Sequence, residues 1–567
     1  MKFEDYQYER PNLESLKKQF LGFVTRIESA TNANEVEIAV KGIQALQNEI
    51  ITLSQLVSIR HSIDTRDTFY DEEQTFWNEA GPVINEWETA YYKAILQSSF
   101  RNELDDLLPE PFFKMAENGL RVFDAKIIPL LQMENKLISE YDKLIASAEI
   151  EYNGKTYNLS GMAPFKQSTN RQERKAAFAK VSEFFEANQA EIDRIYDELV
   201  KTRHQIAIEL GFKDFVEVGY LRMNRLDYDR NDVEVYRQEV LKHVVPLVEK
   251  LYNRQKNRLA LDSLKVYDLD LEFESGNATP KGTPEEIVEN GVKMYHELST
   301  ETGEFIDFMV ERNLLDLVTK PGKQGGGYCT FIPNFDSPFI FSNFNGTSGD
   351  IDVLTHEAGH AFQVYQSRWI QTPETVWPTY ESCEIHSMSM EFFAYPWMEL
   401  FFKEQTLKYK FSHLFGTVAF LPYGVLVDHF QHEVYQNPEM TPEERRDTWR
   451  RLEAQYNPWK DNEGIGYLEN GARWFQQSHI FGSPFYYIDY TLAQVCALQF
   501  WQRSQVDNDP NAWQDYLTIC HIGGTQSFKQ IVASANLKSP FEPGSLSGVV
   551  AKVDAYLDSI SEEDLKA

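Results

Sequence analysis

His356, Glu357 and His360 are the residues of this chain whose types and spacing point most directly to chemistry. They stand in Asp352-Val-Leu-Thr-His-Glu-Ala-Gly-His-Ala-Phe362. On a helix, residues four apart share a face, so both imidazoles can chelate one ion. Glu357, next to the first histidine, can stand beside the metal without ligating it and take a proton from water. Gly359 costs about 1 kcal/mol relative to alanine in a helix interior, which implies that something packs closely against it. Asp352, four residues before His356, is placed to orient its ring from behind. The flanking Val353, Leu354, Ala361, Phe362 and Val364 are apolar, so the helix is expected to be buried.

Two imidazoles leave a metal short of protein ligands, and the third ligand separates classes. The continuation HxxGxxH is missing, because Gln363 and Gln366 stand in those places. This excludes the metzincin pattern. After Pro373 and Pro378 a second helix is expected, Tyr380-Glu-Ser-Cys-Glu-Ile-His-Ser-Met-Ser-Met-Glu-Phe-Phe393. Spacing alone leaves Glu381, Glu384, His386 and Glu391 as candidates. Glu384 and Glu391, seven residues apart, fall on one face two turns apart. A second histidine pair, in His429-Phe-Gln-His-Glu433, has a spacing of three and neither the HExxH nor the HxxEH order. It reads as ordinary helix rather than as a metal site.

The elements that must position these groups are mostly helical. Apolar residues recur at spacings of three and four over 12–62, 68–104 and 168–211, the pattern of amphipathic helices. Thr283-Pro-Glu-Glu286 and Thr441-Pro-Glu-Glu444 place Thr at an N-cap, Pro at the first helical position and Glu three residues after the cap. Residues 150–157 alternate around Asn153-Gly154, a two-residue hairpin signal. A second β region spans about 328–344, after Gly325-Gly326-Gly327 and with a turn near Asn334–Pro338. Those glycines read either as a flexible turn or as a close approach of backbone to a bound ligand. The strand near Ser342–Asn345 is a candidate edge for pairing with an extended peptide. No internal repeat or low-complexity linker is visible. The simplest division is an N-terminal helical region, 1–164, ending in the hairpin, and a catalytic region, 165–567, whose lobes can interleave.

A formal net charge of −32 argues against nucleic acid and against anionic membrane surfaces as partners. The start of the chain lacks a basic segment followed by an apolar one, and no run of some 18 apolar residues is present. The cysteines (Cys329, Cys383, Cys496, Cys520) lie far apart, which fits neither a disulfide framework nor a cysteine zinc site. A cytoplasmic location is expected by default.

HEAGH followed by Glu384, Ser387 and Glu391 resembles the thimet oligopeptidase and oligoendopeptidase F family of zinc metallopeptidases, and within it bacterial Pz-peptidase-type enzymes. The resemblance spans roughly residues 160–555. It implies one Zn2+ per chain, with His356, His360 and Glu384 as its ligands and Glu357 as the base. A second match is Ser478-His-Ile-Phe-Gly-Ser-Pro-Phe-Tyr-Tyr-Ile-Asp-Tyr490. The family uses a histidine and a Tyr-x-x-Tyr pair there to hold the scissile carbonyl oxygen, which maps to His479, Tyr487 and Tyr490. The loop is less glycine-rich than in thimet oligopeptidase, so the match can slip by one residue to Tyr486. An imidazole or phenol there can donate to the oxygen that becomes negative in the tetrahedral intermediate. The resemblance further implies a mainly α fold, two helical lobes around a deep substrate channel, with a small β-sheet near the HExxH site.

The function expected from these features is zinc-dependent cleavage of internal bonds in short, unstructured oligopeptides, with Pro/Gly-containing, collagen-derived peptides suggested by the Pz-peptidase likeness. A carboxypeptidase releasing residues or dipeptides is the nearest alternative. It needs a cation for the substrate C-terminus, and the sequence identifies none. A non-catalytic peptide-binding protein would have no need of Glu357. A structural zinc site would be closed by four protein ligands. Monomer and homo-oligomer are equally compatible with the sequence.

Overall fold

Helix boundaries fall where the capping chemistry places them. Asn12, Asn32 and Asp67 accept hydrogen bonds from the backbone amides of Ser15 (2.9 Å), Glu35 (3.0 Å) and Tyr70 (3.2 Å). They start α1 (Leu13–Ser29), α2 (Ala33–Ile63) and α3 (Thr68–Gln97). The periodic stretch 12–62 is therefore two helices, and 168–211 likewise breaks at Asn188 into Arg171–Ala187 and Gln189–Glu209. The apolar spacing runs through both breaks because the helices on either side face the same core. The capping boxes at Thr283 and Thr441 form as expected. The computed structural model describes residues 1–566, and its architecture is mainly α with a small mixed sheet.

Two cores hold it together. One is built from Leu16, Phe20, Val40, Trp87, Tyr91 and Phe112 among others, all within α1–α3 and the helix Glu110–Arg121. The other is larger and includes Leu137 and Tyr141 of α4 (Ile128–Ala146), while Phe331, Val364, Ile370 and Val376 form a small separate cluster. Glu134 of α4 is buried beside two guanidiniums. It accepts from Arg203 Nε at 2.7 Å and from Arg222 Nη1 at 3.0 Å. Burial alone would raise its carboxyl, but Arg222 and Arg203 outweigh burial and lower it to about 2.

The hairpin β1 (Ile150–Tyr152) and β2 (Lys155–Tyr157) turns through Asn153 and Gly154, both at positive φ. The larger sheet has the order β3-β5-β4, with β3 (Leu315–Val318) parallel to β5 (Ser337–Phe344) and β4 (Tyr328–Ile332) antiparallel to it. The four-residue β3 went unread because Leu-Asp-Leu-Val is too short to carry a period. β5 is the central strand, paired on both sides at Ile340 and Phe341, whereas its pairing with the outer strand β4 ends at Phe341, before Ser342–Asn345.

The site is carried by four helices: α5 (Gly349–Gln366), α6 (Tyr380–Phe393), α7 (Thr406–Gln436) and α8 (Tyr487–Trp501). The helical stretch Glu399–Gln436, which contains α7, is long and apolar enough, by length and composition, to cross a membrane. Leu414, Val418, Leu421, Val425 and Phe430 are nevertheless fully buried within the protein, so it packs as a core helix. Helices α5 and α6 touch backbone to backbone. A Cβ built on Gly359 would stand 2.6 Å from Ser387 Cα and 2.7 Å from the His386 carbonyl oxygen, which is the close packing its mid-helix position implied. The turn joining the two helices is tied to the N-terminal helices, where Glu374 accepts from Gln47 of α2 (2.7 Å) and Tyr92 of α3 (3.1 Å).

Gly359→Ala is expected to lower stability by about 1–3 kcal/mol through overpacking, despite alanine's better helix propensity. Gly22→Ala, in α1 with nothing within 4 Å, should instead stabilise by up to about 1 kcal/mol. Thermal unfolding of both variants checks the contrast. The Glu134 cluster gives a pH test. Its folded pKa lies below the unfolded one, so its contribution is complete above about pH 4.5 and is lost as pH falls toward 2. Denaturant titrations across that window should show wild type losing about 3 kcal/mol more than Glu134→Gln. Parallel pH profiles would show that the cluster adds nothing.

Candidate active site

Three side chains converge where α5 crosses α6. His356 Nε2 and His360 Nε2 lie 3.1 and 3.2 Å from the same oxygen of Glu384, Oε2. Ligand atoms on a tetrahedral ion with bonds of about 2.0–2.1 Å stand roughly 3.3 Å apart, so this spacing fits zinc. It is the one group of three or more potential ligands found together among the described residues. The donor set, two imidazoles and a carboxylate on one side only, leaves a position open.

His356 and Glu384 are oriented from behind. Glu391 accepts from His356 Nδ1 at 2.7 Å, and its other oxygen meets His413 Nε2 at 2.6 Å. His413 Nδ1 in turn meets the Tyr395 hydroxyl at 2.6 Å. Ser387 donates to Glu384 Oε2 at 2.8 Å, and Tyr486 donates to Glu384 Oε1. Asp352 does not orient His356 as expected. It accepts from Tyr409 at 2.7 Å, and Glu391 has the orienting place because it lies on the neighbouring helix, facing the ring.

Glu357 is buried in the wall of a cavity of about 770 Å³ that also exposes His356, His360, Glu384, His479 and Tyr490. Its Oε2 has no hydrogen-bond partner within the protein. Burial pushes its carboxyl above the usual range, which suits a base that must later give its proton up. The glycine loop before β4 closes in from the opposite side. Lys323, buried beneath it, donates to Asp316 Oδ1 (2.6 Å) and the Val318 carbonyl (3.0 Å). Asn343 donates to the carbonyls of Gln324 (2.9 Å) and Gly326 (2.7 Å). A Cβ on Gly327 would meet Val353 Cγ1 at 2.7 Å and Glu357 Oε1 at 3.3 Å. Of the two readings of these glycines, close approach holds at Gly327, although what approaches is the metal-site helix.

The third wall is the segment leading into α8. Phe485, buried at φ +68°, packs its ring against Gly219, and its carbonyl accepts from Arg225. A bulky residue rarely holds this backbone conformation, and the turn it makes presents Tyr486 and Tyr490 on one face of the first turn of α8, their rings stacked at 5.0 Å. His479 Nε2 lies 3.0 Å from the Tyr490 hydroxyl. Gln477 Nε2 donates to His479 Nδ1 at 2.8 Å, and Tyr423 donates to Gln477 Oε1 at 2.8 Å. Burial lowers His479 to about 4, so the imidazole is neutral near pH 7. With Nδ1 accepting, its one proton sits on Nε2 and points at the Tyr490 oxygen, which leaves the Tyr490 proton free to be donated outward.

The structure thus gathers His356, Glu357, His360, Glu384, His479 and Tyr490 around one cavity. Tyr487 lies on an adjoining cavity, packed edge-on against Phe420 and Tyr423. Of the other candidates, Glu381 bonds Thr379 and His386 bonds the Ser382 carbonyl. His429 and His432 bond separate tyrosines, Tyr456 and Tyr220, and form no shared site. Gln477, Tyr423, His413 and Phe485 carried no sequence signal, because their roles depend on partners far away in the chain.

A helix-borne HExxH completed by a glutamate from the next helix, with an open position facing a cavity, is the centre of a metallopeptidase. Residues 164–548 match peptidase family M3, and residues 3–123 match the peptidase M3 N-terminal domain. The chain belongs to peptidase family M3. A solved structure described as Pz peptidase A with an inhibitor is 51% identical over 99% of this chain and all of its own, with a TM-score of 0.98. A putative oligoendopeptidase F from Bacillus anthracis is 50% identical over 99% of both chains, with a TM-score of 0.93. An oligoendopeptidase F homolog from Mycoplasma genitalium is 22% identical over 53% of this chain, and the match spans about half, 53%, of that protein's length.

Removing the carboxylate that holds both His356 and His413 should weaken metal binding. Glu391→Gln is expected to lower zinc affinity by about 10–100-fold, measured by competition with a chromophoric chelator. Unchanged affinity would leave Glu391 without an orienting role.

Proposed function

We propose that this protein is a zinc-dependent endopeptidase that hydrolyses internal bonds of short, unstructured oligopeptides. The observation that carries this reading is the composition of the cavity wall at the metal centre. His356, His360, Glu384 and Glu357 face it, yet no lysine or arginine lines it, nor the adjoining cavity that shares His479 and Tyr490. A carboxypeptidase must neutralise a terminal carboxylate within a residue or two of the scissile bond, and nothing there does so. The open ligand position and the unpartnered Glu357 Oε2 argue against a structural zinc site and against a mere peptide binder.

Zinc held by His356, His360 and Glu384 supplies the Lewis acidity that activates water and polarises the peptide carbonyl. Glu357, which lines the cavity, would accept a proton from water and pass it to the leaving amine. Tyr490, its proton freed by the His479–Gln477–Tyr423 chain, donates to the carbonyl oxygen as negative charge develops. His479 acts through Tyr490, and Tyr487 shapes the adjoining cavity. An extended substrate pairs with the outer strand β4, whose Tyr328, Cys329 and Thr330 line the cavity. Within the class, Pro/Gly-containing collagen-derived peptides are the substrates we favour, on the likeness to Pz peptidase. The division at residue 164 into N-terminal and catalytic regions is supported by the two separate family matches.

A fluorescence-quenched decapeptide blocked at both ends, followed by mass spectrometry of its products, tests the reading. Internal cleavage that stops with chelator and returns with zinc is expected. In Glu357→Gln, kcat should fall by at least about a hundredfold while zinc content stays at one per chain. Trimming confined to peptides with a free C-terminus would replace the endopeptidase by a carboxypeptidase.

A further inference from the structure

One carboxylate in the wall of the metal cavity has no task in the mechanism above. Glu357 and Glu384 belong to the metal centre, and Glu374 is held by Gln47 and Tyr92. Asp142 of α4 lines the same cavity. Among the described residues no charged or hydrogen-bonding side chain acts on its carboxyl, and burial pushes it up to about 7. The cation next to it in sequence, Lys143, turns away to pair with Asp71 at 3.1 Å. Ile138, one turn earlier on the same face of α4, lines the cavity too, as do Met115 and Met223. The place of Asp142 is fixed by the residue before it. The Tyr141 ring stacks on Phe481 at 3.8 Å, and its hydroxyl donates to the Phe475 carbonyl at 2.7 Å. A Cβ on Gly482 would stand 3.6 Å from Ile138 Cγ2. Helix α4 is thus docked against the segment that carries His479, and Asp142 enters the cavity from that wall.

We propose that Asp142 is a specificity residue that receives the cationic side chain of a substrate lysine or arginine at one position near the scissile bond. The inference deepens the endopeptidase reading above and rests on it. A carboxylate confined beside apolar surface is costly until a cation meets it. Lysine and arginine bury an apolar stem and keep their charge at the tip. That shape suits a wall made of Ile138 and two methionines, whose flexible side chains adapt to the stem, with a carboxylate on the same wall. No lysine or arginine of the protein lines the cavity, so nothing there competes for Asp142. A substrate aspartate or glutamate at the same position is repelled by it. The pair forms on binding and is unchanged when the carbonyl is attacked, so it acts on KM rather than on kcat. Asp142 thereby discriminates among oligopeptides of one length by a single side chain.

The test takes the quenched, doubly blocked decapeptide and places lysine, norleucine or glutamate in turn at each position flanking the cut. In wild type, lysine at one of these positions should lower KM roughly tenfold or more relative to norleucine, the effect of one charge-assisted contact. In Asp142→Asn that ratio should fall toward one. In Asp142→Lys the order should invert, with glutamate favoured over lysine at the same position, an outcome that a merely structural role would not give. Either variant suffices if the other fails to fold, as judged by thermal unfolding. No preference for lysine at any position in wild type, or one that survives in Asp142→Asn, would overturn the proposal. An equal preference for lysine at every position would also overturn it, since the acidic protein as a whole would then be attracting the substrate. Cleavage of none of the peptides would count against the endopeptidase reading itself, whereas cleavage of all with one KM would count only against the role of Asp142.

Discussion

Ligand spacing at the metal centre depends on a contact that involves no side chain. Where α5 meets α6, Gly359 lets the backbone at His386–Ser387 come close enough to bring Glu384 onto the histidine pair. Any larger residue would hold the helices apart by more than the tolerance of a metal–ligand bond. Much of the fold keeps that crossing in place. Both helices are buried in the larger core, and the turn between them is fastened through Glu374 to α2 and α3. On the opposite face of α5, Gly327 repeats the device, so the metal-site helix is gripped between two glycine-lined surfaces.

Around that crossing several functional atoms have their direction set by a partner behind them. Glu391 fixes His356, Ser387 and Tyr486 fix Glu384, and Gln477 fixes the tautomer of His479. Unpaired polar atoms in such an interior are expensive, so the exceptions are informative. Glu357 Oε2 lacks a partner within the protein, and its carboxylate belongs to a residue that lines the metal cavity.

Much of the site was legible because its elements are local. HExxH needs only one helix, so His356, Glu357 and His360 follow from periodicity and spacing. Spacing placed Glu384 among four candidates on the next helix, and the family resemblance selected it. The capping boxes and the Asn153-Gly154 hairpin are equally local, and each forms. What stayed hidden is what depends on distant pairing. Strand β3 is four residues long and acquires its identity only from β5. Asp352 has the right helical spacing to reach behind His356, but spacing cannot reveal that Glu391 occupies that place. The tyrosines after His479 could not be told apart by position, since a left-handed residue at Phe485 decides which way each one points.

That left-handed residue has a consequence for how this sequence can drift. The Phe485 ring occupies the room that a side chain at Gly219 would need, and Arg225 clasps its carbonyl, although Gly219 lies more than 260 residues earlier in the chain. Bulk gained at position 219 has to be given up at position 485, and a smaller residue at 485 loosens the turn that aims Tyr490. The two sites therefore form an epistatic pair: a substitution tolerated at one depends on what stands at the other, even though neither touches a substrate.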